Sequence, residues 1–224
     1  MHLRVLNGSP RGLKSNTKLL LDNLVESFQA TGEHRVDVTV LLRERKPQEW
    51  LRVTREADVV LLAFPLYADA MPGIVKEYIE AVSPLRNDAR KPTFFFLVQS
   101  GFPEALHCRH VARYLKKVCR RLGAPHGGTL VRGGVEGIQV MPPWMTRKLY
   151  ALCSRAGKEL GGSSEWSEEL VTQFAGRERY GAMGRGVLRL LSAVGVANMY
   201  WNQQMKAHGV RDRSDDQPLL DSVD

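Results

Sequence analysis

Five short apolar runs, separated by longer stretches of mixed polarity, organise the first 131 residues of the chain. They lie at residues 3–6, 36–41, 57–64, 93–98 and 127–131. The third and fourth runs contain hardly any polar residue, which is typical of parallel strands buried on both faces. In three of the four stretches between the runs, apolar residues recur at helical spacing, as at Leu20, Leu24 and Phe28, and predict amphipathic helices. Strands that alternate with helices predict one parallel sheet with right-handed crossovers.

The stretch between the first run and the first predicted helix has the composition of an anion site. Residues 7–17 read Asn-Gly-Ser-Pro-Arg-Gly-Leu-Lys-Ser-Asn-Thr. Gly8 permits a tight turn, and Asn16 or Thr17 can cap the helix, whose first N–H groups and positive dipole end then face the loop. Donors suited to a phosphate come from Ser9, Arg11, Ser15, Asn16 and Thr17. The stretch lacks both the P-loop ending and the glycine pattern of a dinucleotide Rossmann turn, which leaves the flavodoxin type of phosphate loop; an ordinary turn between strand and helix is the alternative.

Three segments of the chain resemble the cofactor loops of the flavodoxin-like NAD(P)H-dependent FMN reductases. They are Asn7–Arg11 with Ser15–Thr17, Phe64–Tyr67 with Met71–Pro72, and Gln99–Glu104. The segments occur in the order of that family, each directly after an apolar run, and the resemblance covers roughly residues 1–160. It implies a flavodoxin-like α/β fold, a doubly wound five-stranded parallel sheet of order 2-1-3-4-5 with a C-terminal helical extension. In that order the ligand crevice lies beyond the carboxyl ends of strands 1 and 3.

The resemblance also implies FMN as cofactor, NADPH or NADH as electron donor, and a set of contact residues. Besides the phosphate donors of the first loop, the implied contacts are Pro65, Leu66, Tyr67 and Met71 in the second loop and Ser100, Gly101 and Phe102 in the third. No catalytic side chain is implied, because the flavin carries the chemistry: it takes hydride from the nicotinamide and reduces a quinone, a flavin or another small acceptor. Plain packing roles for Tyr67 and Met71, and an ordinary glycine turn at residues 100–102, are the alternatives.

The cysteines and the N-terminus bear on metal binding, thiol oxidation and cellular location. The three cysteines, Cys108, Cys119 and Cys153, are too few for a disulfide framework, and no Cys-x-x-Cys pair could hold zinc or an iron–sulfur cluster. Some flavodoxin-like relatives carry a cluster-binding cysteine run before strand 3, whereas Arg43–Trp50 has no cysteine. We therefore predict no metal centre and reduced thiols. The N-terminus lacks a signal-peptide pattern, which predicts a cytoplasmic protein.

The charge distribution leaves the kind of electron donor open. The net charge is +8, but residues 211–224 hold two Arg and five Asp, which leaves +11 on residues 1–210. A phosphorylated dinucleotide, nucleic acid or plain solubility could each explain a basic body, and no helix-turn-helix, RNP or zinc pattern supports a nucleic-acid partner. One predicted helix carries a row of cations, Arg109, Arg113, Lys116, Lys117, Arg120 and Arg121. This row is a solvated face unless it borders the crevice, where it would favour NADPH.

The C-terminal part of the chain has a different pattern. We predict a flavodoxin-like FMN-binding domain over residues 1–162 and a helical extension with a polar tail over residues 163–224. Glycines at 181, 184 and 186 predict a loop, and Val187–Met205 predicts a long helix that is apolar nearly all round. That helix is too short to span a bilayer and has to be covered, which predicts a homodimer; contact with a membrane surface is the less favoured alternative.

The sequence thus favours an FMN-dependent NAD(P)H oxidoreductase over two other functions. One is a flavodoxin-like electron carrier without catalytic activity, and the other is a flavin-binding scaffold that works through protein contacts. Electron carriers of this kind tend to be small and acidic, so the basic body and the extension argue against the first. The intact loops argue against the second.

Overall fold

A five-stranded parallel sheet forms the centre of the protein. The computed structural model describes residues 1–193, 199–213 and 216. The strands are β1 (His2–Asn7), β2 (Arg35–Val40), β3 (Val59–Pro65), β4 (Thr93–Gln99) and β5 (His126–Arg132). All pairings are parallel, and the strand order is β2-β1-β3-β4-β5. The predicted doubly wound order is therefore confirmed.

Eight helices are assigned within the described residues. They are α1 (Asn16–Gln29), α2 (Pro47–Glu56), α3 (Gly73–Ala81), α4 (Leu106–Leu122), α5 (Pro143–Gly162), α6 (Glu168–Ala175), α7 (Ala182–Ala193) and α8 (Met199–Ala207). Short 3-10 helices occur at Gly12–Lys14, Ser83–Asn87 and Arg211–Arg213. The sequence pattern did not predict α2, because only Trp50, Val53 and Thr54 of its ten residues are buried.

The central strand shows how the two layers of helices are attached. Every residue of β3 is buried. Successive side chains point to opposite faces of a strand, so Val60 and Leu62 join the core under α2, α3 and α4, while Leu61 and Ala63 join the core under α1, α5 and α6. This double burial explains the absence of polar alternation in the sequence of β3.

The edge strand β2 is fixed to β1 by a cluster of charges around one carboxylate. Asp37 accepts hydrogen bonds from His2 Nε2 at 2.8 Å and from Arg4 at 3.1 Å, and Arg35 lies 3.0 Å away. These three groups, His2 first, hold the pKa of Asp37 below its ordinary value. The carboxylate is thus ionised at neutral pH and neutralises the buried guanidinium of Arg4.

The described chain divides into two compact units, Met1–Arg179 and Tyr180–Asp224. The first unit extends past the predicted boundary at residue 162, since Trp166 packs edge-on against Phe95 of β4 at 4.7 Å and donates to the Ala156 carbonyl at 3.0 Å. Leu170 and Phe174 of α6 join the same core, so α6 also covers the sheet in this unit.

The second unit contains α7 and α8. The loop predicted from glycines 181–186 is wrong, because α7 begins at Ala182 and accommodates Gly184 and Gly186 at a modest cost in helix propensity. The predicted long helix overlaps α7 and α8, and residues 194–198 between them lie outside the described residues. Within the part of the chain that the structure describes, no helix is long and apolar enough to cross a membrane.

Candidate cofactor site

The loop after β1 is shaped by its own side chains. Asn7 Nδ2 donates to the Gly12 carbonyl at 3.2 Å and to Ser15 Oγ at 3.3 Å, and Asn7 Oδ1 accepts from the Ser9 N–H at 3.0 Å. Ser15, rather than the predicted Asn16 or Thr17, caps α1: its hydroxyl accepts from the Lys18 N–H at 3.2 Å and donates to Gly12 O at 2.6 Å. The side chain of Ser15 is therefore engaged within the loop.

Several donors at and before the start of α1 have no partner among the residues that the structure describes. Among the described residues, no acceptor binds the N–H groups of Asn16 and Thr17, the first two of the helix. The buried hydroxyls of Ser9 and Thr17 accept hydrogen bonds, from Arg11 N–H at 3.3 Å and from Gln99 Nε2 at 3.4 Å, and each keeps its own proton to donate. With the half-exposed guanidinium of Arg11, these groups form a donor set of the kind that binds a phosphate monoester.

Gly8 fixes this loop against the end of β3. Its N–H donates to the Ala63 carbonyl at 2.8 Å. A Cβ at this position would lie 2.4 Å from Val75 Cγ2 of α3, so only glycine fits without a shift of that helix. The loop therefore lies directly at the point where the sheet reverses its winding direction, between β1 and β3.

The second loop begins where β3 ends. Pro65 and Leu66 are buried, and the Leu66 N–H donates to the Gln99 carbonyl at 2.7 Å, which ties this loop to the end of β4. Tyr67–Ala70 form a tight turn closed by two backbone hydrogen bonds of 2.9 Å. Met71 packs, partly buried, against the core.

The tyrosine of this turn is half-exposed and lies near Arg11 of the first loop. The side chain of Tyr67 is 47% exposed. Partial burial raises the pKa of its phenol; the Arg11 cation opposes this rise, and the Glu136 carboxylate adds to it. The phenol is therefore protonated at neutral pH and can donate a hydrogen bond into the crevice.

The third loop is held by the strand next to it. The Ser100 N–H donates to the Arg132 carbonyl at 2.9 Å, and the Ser100 carbonyl accepts from the Val135 N–H at 2.9 Å. Phe102 is 47% exposed, and its ring stacks on His107 of α4 with centroids 4.5 Å apart. A Cβ on Gly101 would approach Glu136 Cβ to 3.2 Å, so the loop passes close to the segment after β5.

A fourth loop, over residues 133–142, completes the site, and the sequence reasoning missed it. Asn16 Nδ2 donates to the Val135 carbonyl at 2.9 Å, and Gln139 Nε2 donates to Asn16 Oδ1 at 2.9 Å. Glu136 Oε1 lies 3.5 Å from a guanidinium nitrogen of Arg11. Glycines at 133, 134 and 137 directly after the fifth apolar run were the available signal, since the carboxyl ends of parallel strands meet at one edge.

The predicted contact residues thus lie on three loops at this edge or on the adjoining ends of β3 and α1, but their side chains do different things. Ser9, Arg11 and Thr17 offer donors, while the side chains of Ser15 and Asn16 are bonded within the protein. The remaining ones form the rest of the rim or its support, namely Pro65, Leu66, Tyr67, Met71, Ser100, Gly101 and Phe102. The fourth loop adds Glu136 and Gln139.

The cationic face of α4 extends away from this rim. The helix starts beside the third loop and ends at Leu122, near the opposite edge of the sheet where β5 begins. There Lys116, Lys117 and Arg120 line a separate groove with His126. Arg109, at the crevice end, is paired with Glu178 at 2.8 Å. Most of this cationic face therefore lies away from the rim, and a preference for NADPH over NADH stays a prediction.

The cysteine side chains are structural. All three thiols are buried, and burial raises the pKa of Cys119 and of Cys153 to about 12. Among the described residues, no group of three or more His, Cys, Asp or Glu side chains is placed to hold a metal ion.

The strand order and the four joined loops define a doubly wound α/β protein whose loops meet at the switch point of the sheet, where folds of this kind bind ligands. The sequence matches the family described as having the flavodoxin-like fold over residues 1–140. The chain belongs to this flavodoxin-like family, which confirms the resemblance seen in the sequence. The curated proteins contain no match to the chain.

Solved structures share the fold at low sequence identity. An FMN-dependent NADH-azoreductase from Bacillus anthracis in complex with FMN superposes with a TM-score of 0.55 and 14% identity, over 72% of this chain and 100% of that chain. An NAD(P)H:quinone oxidoreductase from Methanothermobacter marburgensis gives 0.54 and 19%, over 71% and 96%. The Trp repressor binding protein from Bacillus subtilis gives 0.55 and 14%, over 69% and 99%.

Proposed function

We propose that the chain binds FMN and uses it to pass electrons from NADPH or NADH to a quinone, a flavin or another small acceptor. The observation that carries the proposal is the joining of the loops after β1, β3 and β4 by hydrogen bonds into one rim at the switch point. The azoreductase and quinone oxidoreductase with the same fold support it.

The donor set of the first loop fits the phosphate of FMN. The hydroxyls of Ser9 and Thr17 and the first two N–H groups of α1 would donate to its oxygens, and the helix dipole would add to the attraction. Arg11 would supply a cation, in competition with its present partner Glu136. This assignment gives the side chains of Ser15 and Asn16 a supporting role, since both already have partners in the protein.

The second and third loops would hold the ring. Tyr67 and Phe102 are aromatic residues exposed at the rim and are suited to contact a flat ring. FMN, when bound, supplies the two-electron chemistry. The protein would orient the ring, exclude water from one face of it, and donate a hydrogen bond from the Tyr67 phenol.

Flavin titration tests the binding step. We expect tight binding of FMN and weaker binding of riboflavin, because riboflavin leaves the phosphate donors without a partner. The double substitution Ser9→Ala/Arg11→Ala should weaken FMN binding by about 2–3 kcal/mol, roughly 30- to 150-fold, and leave riboflavin binding unchanged. Arg121→Ala, which removes one positive charge at the far end of α4, is the control. Equal affinity of the double variant and the parent for FMN would refute the phosphate-loop assignment.

Anaerobic reduction tests the enzyme class. The absorbance of bound FMN should bleach on addition of NADPH or NADH. If neither nucleotide bleached it while dithionite did, the chain would belong with the electron carriers instead.

We also propose that the protein is a homodimer in which the apolar surface of the second unit is covered. Met183, Leu190 and Trp201 are large apolar side chains there, and the last two are 64% and 55% exposed. Sedimentation of the intact chain should give twice the mass of one chain. A monodisperse monomer would exclude the dimer, and binding to liposomes would favour the membrane-surface alternative.

A further inference from the structure

The turn of the second loop has an unusual backbone. Its two central residues, Ala68 and Asp69, have φ angles of 45° and 61°, both in the left-handed region. Glycine and asparagine are the usual residues at such positions, because a Cβ is crowded there, and alanine is among the less suitable ones. A turn of this kind persists only where its surroundings hold it in place.

One side chain from outside the turn holds it. Asp69 Oδ1 lies 3.1 Å from His107 Nδ1, so a protonated Nδ1 donates to the carboxylate. The His107 ring also stacks on Phe102, with centroids 4.5 Å apart and planes inclined by 28°. Because His107 is the second residue of α4, it connects the second and third loops to a rigid helix.

We infer that His107 is a positioning residue of the cofactor site: through Asp69 it holds the strained Tyr67–Ala70 turn, and through stacking it holds Phe102. The two half-exposed aromatic rings of Tyr67 and Phe102 would then keep a fixed separation at the rim. The inference rests on the proposed function in one respect, namely that the ring held by this rim is a flavin.

The first test needs no flavin. In the full-length protein without FMN, hydrogen exchange of the Tyr67 and Ala70 amides, which close the turn, should be faster by roughly tenfold in His107→Ala than in the parent. The double variant His107→Ala/Ala68→Gly should regain most of the protection, because glycine adopts the left-handed conformation without crowding. His110→Ala, an exposed histidine on the same helix, is the matched control and should change nothing.

The second test measures the affinity for FMN and for riboflavin by quenching of flavin fluorescence. His107→Ala should weaken the binding of both flavins by the same factor, roughly tenfold. The reason is that the substitution affects the ring side of the site and not the phosphate side. Ala68→Gly in the same chain should restore the part of both affinities that is lost through the turn, and the part that is lost through Phe102 should remain lost.

The outcomes separate the two proposals. Unchanged exchange of the turn amides in His107→Ala would overturn the positioning role, whether or not FMN binds. A loss of flavin affinity of which Ala68→Gly restores no part would also overturn the role of His107 in holding the turn. A parent protein that binds no flavin would refute the proposed function, while the exchange experiment would still decide the role of His107.

Discussion

The contact between α1 and α5 gives the sharpest prediction of stability, because it is made by backbone. Gly157 of α5 faces Leu24 and Phe28 of α1. A Cβ at residue 157 would lie 2.0 Å from the Leu24 carbonyl oxygen and 2.9 Å from the Phe28 nitrogen. Neither atom can rotate away, so Gly157→Ala forces the two helices about 1 Å apart.

Two terms of opposite sign set the size of the effect. Alanine favours a helix over glycine by about 1 kcal/mol. Overpacking commonly costs about 1–3 kcal/mol and occasionally more, and a clash with backbone on both sides belongs at the upper end. We expect Gly157→Ala to lower the free energy of unfolding by about 2 kcal/mol net, and the melting temperature by about 4–8 °C for a unit of this size.

Gly162→Ala, at the end of the same helix, is the matched control, since nothing lies within 4 Å of a Cβ there. Urea unfolding followed by the fluorescence of the buried Trp50 and Trp166 measures both variants in the first unit. The control should be neutral or stabilised by up to about 1 kcal/mol. If Gly157→Ala were as stable as Gly162→Ala, the close approach of the two helices at this point would be refuted.

Three further results are expected. Asp37→Asn should destabilise the protein by about 1–2 kcal/mol at pH 7 through lost charged hydrogen bonds. Because the folded-state pKa of Asp37 lies below its ordinary 3.8, this stabilisation is present above that value and lost as the pH falls through the lower one. The difference in stability between variant and parent should therefore shrink as the pH is lowered below 3.8. The three buried thiols should stay unreactive toward Ellman's reagent in the native protein and react together on unfolding, and fast labelling of any of them would contradict their burial. Glu136→Gln should strengthen FMN binding roughly three- to tenfold, less at high salt, because it releases Arg11 and removes a carboxylate near the phosphate; riboflavin binding should not respond.

The sheet could be predicted from the sequence because the signal for each strand lies within that strand's own residues. The uninterrupted apolar runs of β3 and β4 can hardly be anything but strands buried on both faces, and a phosphate loop after β1 selects the strand order. Helix α2 could not be predicted in the same way. Glu49 and Glu56 pair with Arg52 on its outer face, so ion pairs and three buried residues, rather than an apolar stripe, hold it in place.

The sequence predicted which loops form the candidate site, but it predicted less well which atoms of those loops are left without partners. Spacing alone shows which residues follow each strand, and the loops after β1, β3 and β4 do meet. Spacing cannot show that Ser15 turns back to cap the helix. It also gives no sign that Glu136, far along the chain, comes to lie beside Arg11.

Asn16 is the clearest case of a residue whose role depends on partners far along the chain. From the sequence it is a donor at the start of a helix, and its amide is as suitable for a phosphate as any hydroxyl nearby. In the structure both ends of that amide are used by the fourth loop, by the Val135 carbonyl and by Gln139. Its backbone N–H remains for an anion, and its side chain instead joins α1 to the segment after β5. The long-range partners of its side chain thus decide which atoms of Asn16 remain for an anion, and spacing along the chain does not show them.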